Sequence, residues 1–220
     1  MKLPDFFDLV PRLRVRDPLA ATLGCAEGGV LEYSYADAVR VTGHSCPTVA
    51  AAYWLTWLAL AELYPTELPQ RGGVRVEFRD HERQGSTGVF ASVVQMLTGA
   101  ANDGGFKGIS GRFSRAGLQR ISPDLPLFMR FTRLDDGSAV DAGVDLSLQP
   151  PDPELNGLLQ RLESGEADGP ALARLGTLWQ RRVRELLIDR ASDRGIFIVR
   201  RVERWRTTPP LRLNLRHKMG

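Results

Sequence analysis

The stretch Gly43-His44-Ser45-Cys46-Pro47, running into Val49-Ala50-Ala51-Ala52-Tyr53-Trp54-Leu55-Thr56-Trp57-Leu58-Ala59-Leu60-Ala61, decides how the chain is read. No Lys, Arg, Asp or Glu occurs between Arg40 and Glu62, and Thr56 alone interrupts an all-apolar surface. A helix apolar on every side belongs in a core or a membrane. The run falls short of the ~20 residues that span a bilayer, so a buried central helix is expected. Pro47 suits the first helical position and holds Cys46 in the extended geometry of an N-cap. A thiol and an imidazole two residues apart then lie at the positive end of a helix dipole, where a thiolate is favoured.

Outward from that helix, Val74-Arg75-Val76-Glu77-Phe78 alternates as a half-buried strand. Asp80 continues its inward parity and His81 follows. Residues 86–98 form a second apolar helix ended by Gly99, and 99–117 is a glycine-rich turn segment. Residues 127–134 and 138–148, around Asp135-Asp136-Gly137, read as a hairpin. Toward the N-terminus, Leu3–Leu13 has helical spacing, 31–35 suits a brief strand and 36–42 a helical turn. Toward the C-terminus, 154–162 and 170–189 read as helices and 196–199 as a last strand. Helices and antiparallel strand signals are segregated, so the class is α+β: a mixed, mainly antiparallel sheet on a buried central helix and further helices. A core over 1–149 and C-terminal helices, strand and basic tail over 150–220, packing on that core, are expected.

At 220 residues, 43% hydrophobic and 25% charged, the composition is that of a globular protein. The net charge of +3 is local: residues 200–218 hold seven Lys or Arg against Glu203, a charge of +6, which leaves −3 elsewhere. No nucleic-acid face is implied, and no membrane span. The acidic start, without an apolar leader, points to a cytoplasmic protein. Cys25 and Cys46 form no disulfide framework. The glycine-rich segment fails the phosphate-loop pattern because no Ser or Thr follows Lys107, so no nucleotide is expected.

His44 and Cys46 are candidate metal ligands, and Cys46 a candidate nucleophile. Two donors fall short of a zinc site, and His81 is the expected third, with Asp80 the alternative ligand or a substrate contact. The strand carrying them would run antiparallel to the central helix and return its end toward the helix mouth. The plainer alternative is that His44 caps backbone groups and Cys46 is a small buried residue.

The order Gly43-His44-Ser45-Cys46-Pro47, apolar helix, strand, then Val94-Gln95-Met96-Leu97-Thr98-Gly99 resembles the FmdE-like family, named for a component of formylmethanofuran dehydrogenase, over roughly residues 35–113. The resemblance implies an α+β core and a metal beside the His and Cys. Imidazole with thiolate favours zinc or another divalent transition metal. Near the start of the second helix the family pattern has a Cys and an Asp where this chain has Val89 and Ser92, so ligands there do not carry over. The cysteines of the zinc finger that some members add are missing too. Three functions fit: a metal-dependent enzyme on a small carbonyl or one-carbon substrate, a non-catalytic metal-binding module docking on a partner enzyme, or a metal-free enzyme with Cys46 as nucleophile. A homodimer is the expected assembly.

Overall fold

The structure is a computed structural model and describes residues 2–203. The central helix forms as its sequence dictates. α3 (Pro47–Leu63) begins with Pro47 behind the N-cap Cys46 and buries most of its length, from Val49 to Leu63. Its few polar atoms are satisfied inside the core. The Thr56 hydroxyl donates to the Ala52 carbonyl at 2.7 Å, the Trp54 indole to Ala191 at 2.7 Å, and the Tyr53 hydroxyl to Pro11 at 2.8 Å. No helix among the described residues is long and apolar enough to cross a membrane.

α3 lies against a five-stranded sheet of order β4-β3-β5-β6-β7, comprising β3 (Val74–Phe78), β4 (Gln119–Ile121), β5 (Met129–Arg133), β6 (Ala139–Val144) and β7 (Phe197–Arg201). The alternation of β3 holds: Val74, Val76 and Phe78 are buried, and Phe131 opposes Val76 in β5. The fold is α+β, and three of the four pairings in this sheet are antiparallel. The exception is β3 with β4, which run parallel, with Phe78 opposite Ile121. A parallel pair needs a crossover, and α4 (Thr87–Thr98) lies within it. One β-α-β unit therefore sits in a sheet whose strand signals read as antiparallel. Gln119-Arg120-Ile121 is too short to carry a period in sequence.

The N-terminal helix expected over Leu3–Leu13 is replaced. A 3-10 turn covers Asp5–Leu9, and β1 (Leu13–Arg16) then pairs antiparallel with β2 (Val30–Tyr33). Pro11 cannot donate within a helix, and Leu13 and Val15 alternate inward as a strand requires. α1 (Pro18–Thr22) follows, capped by Asp17, and α2 (Tyr35–Thr42) by the Ser34–Asp37 capping box. Asp17 is 3% exposed and also receives Arg71 at 2.9 Å and Arg115 at 2.7 Å. Burial by itself would raise its carboxyl; the Arg71 hydrogen bond and the Arg115 charge hold it below the usual carboxylate range. Gly72 adopts φ +78°, and a Cβ there would fall 1.3 Å from Arg115 Nη1, so any other residue would strain the backbone and displace Arg115.

Beyond residue 150, α5 (Pro153–Glu163) and α6 (Gly169–Arg184) share a small core of Leu155, Leu158, Ala171 and Leu178. A π-helical turn, Glu185–Asp189, then carries Leu186 and Leu187 into the main core, and β7 pairs with β6. The sheet thus takes strands from both sides of residue 150. The basic tail from residue 204 lies outside the described residues.

Candidate functional site

The mouth of α3 is assembled by three elements. α2 ends on Gly43 at φ +77°, which reverses the chain as its glycine permits. His44 follows on the surface, with Nδ1 3.0 Å from the Thr42 carbonyl, so that nitrogen bears the donated proton. Cys46 is 8% exposed, and its sulfur accepts the Val49 N–H at 3.4 Å. The sulfur therefore satisfies one of the amides left without a partner at a helix start. Between them, Ser45 is clamped from the side. Its hydroxyl lies 2.9 Å from Tyr35 Oη and donates to Gln180 Oε1 at 2.9 Å, and its carbonyl accepts Trp179 Nε1 at 2.9 Å. Burial pushes the Tyr35 hydroxyl well above its ordinary pKa, so it stays a neutral hydrogen-bonding group.

His81 and Asp80 are placed elsewhere. Asp80 lies two residues past the end of β3 beside Arg79, with 3.4 Å between their charged atoms. His81 stands in the following turn: its N–H donates to Gln84 Oε1 at 2.9 Å and its Nδ1 accepts the Arg83 N–H at 3.2 Å. Among the described residues no group of three or more His, Cys, Asp or Glu side chains could hold a metal ion. The structure thus gathers neither His81 nor Asp80 with His44 and Cys46. A zinc centre takes three or four protein donors. The α3 mouth offers two, one already tied to a backbone amide and the other to a carbonyl, so this donor set does not by itself make a zinc centre.

What His81 does line is a cleft of about 790 Å³. Phe78 and Ile121, the carboxyl ends of the two parallel strands, form part of its floor, and Thr87 and Ala91 bring the first turns of α4 against it. Asp103 enters from the glycine-rich segment and Arg120 from β4. In α/β units ligands settle outside the carboxyl ends of parallel strands, where a helix N-terminus adds a favourable field. Asp103 and Arg120 were not singled out in the sequence. Their signal was the glycine-rich crossover over 99–117, of which Asn102, Asp103 and Gly104 line the cleft; its return as a parallel strand left no trace.

No protein-family model matches the chain, and no curated protein matches it. Among solved structures, it is similar to a tungsten formylmethanofuran dehydrogenase FmdE-like protein from Syntrophus aciditrophicus. The two are 18% identical over 78% of this chain and 73% of that chain, with a TM-score of 0.43.

Proposed function

We propose that this protein binds a small polar metabolite in the cleft at the carboxyl ends of β3 and β4, with His81 as a hydrogen-bonding group at its rim. The observation that carries the reading is the convergence, in one concavity of about 790 Å³, of both parallel strand ends, the N-terminus of α4, and His81, Asp103 and Arg120. Concave sites with an apolar floor and a few placed polar groups are where small ligands bind. The test is a thermal-shift screen of small carboxylates, amines, amino acids and neutral polar compounds against the parent and an Ile121→Trp variant. Ile121 is 43% exposed, so the indole fills the cleft without disturbing the core. Stabilisation of the parent that the variant loses supports the reading; ligands that stabilise both equally contradict it.

A second reading concerns Cys46. Its sulfur caps α3 beside the His44 imidazole in sequence, and sulfur with imidazole nitrogen is a donor pair that soft metals take. On this reading Cys46 and His44 hold a divalent metal, zinc by the chemistry of the pair, with the remaining positions filled from outside the described residues. His81 keeps its proposed ligand role only if its substitution lowers metal content too. Equilibrium dialysis against Zn²⁺ followed by elemental analysis decides: Cys46→Ser and His44→Ala each lose the metal if the pair holds it. Unchanged content in both ends the reading.

A further inference from the structure

We infer that the ligand of the β3–β4 cleft is a small zwitterion, a carboxylate and an amine carried on an apolar frame; this rests on the cleft reading above and goes on to specify its chemistry. The hydrogen bonds around the cleft fix what each polar group has left to offer. His81 Nδ1 accepts the Arg83 N–H, so the proton of the neutral ring resides on Nε2, a donor. Arg120 spends only Nε, on the Gly117 carbonyl at 3.0 Å. Its terminal nitrogens make no ion pair among the described residues. A guanidinium with its fork open is the side chain best suited to a carboxylate.

Two acids face the same space. Glu82 and Asp103 both line the cleft, and neither forms an ion pair among the described residues. Other charges of this sheet do find partners, as in Arg130 with Asp141 at 2.6 Å and Arg133 with Asp135 at 2.5 Å. In the cleft one cation and two anions stand together with no ion pair among the described residues. A ligand bearing only a carboxylate would meet Arg120 but also both acids, and one bearing only an amine would meet the acids but also Arg120. A ligand with both charges complements each side of this exposed rim. Phe78, Ala91 and Ile121 supply the surface for an apolar portion.

The test compares matched probes by calorimetric titration: leucine and phenylalanine, the amines 3-methylbutylamine and phenethylamine, and the acids 4-methylpentanoate and 3-phenylpropanoate. The amino acids should bind at least about tenfold tighter than either single-charge partner. Arg120→Ala should erase the advantage over the amine, Asp103→Asn should reduce that over the acid, and Ile121→Trp should abolish binding altogether. An acid or amine that binds as tightly as its amino acid overturns the inference, as does failure of every probe. If neutral compounds bind and Ile121→Trp removes them while the amino acids do not bind, the inference falls and the cleft reading stands. If every binder ignores Ile121→Trp, both fall.

Discussion

At the scale of single residues, the sulfur of Cys46 has a structural task that a hydroxyl can take over. It accepts the Val49 N–H from the N-cap position, and Ser is a better N-cap than most residues. Cys46→Ser should therefore leave the thermal midpoint near that of the parent, whereas Cys46→Ala should cost about 1 kcal/mol. Urea titration of both variants checks this, and a Ser variant as unstable as the Ala variant would contradict the cap. Asp17 is the opposite case, since its charge is what matters. Asp17→Asn keeps a capping side chain but leaves Arg71 and Arg115 without their carboxylate, and should cost about 3–5 kcal/mol at neutral pH. Because the folded carboxyl lies below the unfolded value, its stabilisation is present above the unfolded pKa and lost as pH falls through the folded one. The gap between parent and Asp17→Asn should thus narrow below about pH 4. A gap independent of pH would show that charge is not its source.

At the scale of elements, α6 holds the mouth of α3 through the Trp179 and Gln180 contacts to Ser45. Removing them in Trp179→Phe and Gln180→Ala should speed alkylation of the buried Cys46, with the exposed Cys25 as internal reference. Mass-spectrometric labelling reads both thiols at once, and an unchanged ratio would mean that α6 does not guard the site. Elements with a strong local period were legible in the sequence: α3 from its unbroken apolar surface, β3 from alternation, and α2 and α4 from the glycines that end them. The start of the chain misled because Leu3, Phe6, Phe7 and Val10 mimic a helical stripe while Pro11 forbids its continuation. The candidate site was legible only in its parts. His44, Cys46 and His81 were visible as residue types, but where a strand end lies relative to a helix mouth is a matter of tertiary packing that no local pattern encodes. The parallel pairing of β4, decided by three residues far along the chain, lies beyond local pattern for the same reason.

At the scale of the whole molecule, the sheet is closed by β7, from the far end of the described chain. Val183, Leu186, Leu187, Ile196 and Phe197 belong to the same buried cluster as α3. A chain ending at residue 149 loses that strand and those side chains, and should lose cooperative thermal unfolding. A sharp transition in the truncated chain would show instead that the first 149 residues stand alone. The edge opposite β7 carries the central claim, since β4 and β3 together shape the cleft. The most direct measurement is an amide NMR titration of the parent with leucine. The account predicts shifts that saturate and concentrate at residues 81–82, 87–91, 102–104 and 119–121, while residues 43–49 stay still. Shifts confined to 43–49, or a spectrum unchanged throughout, would contradict it.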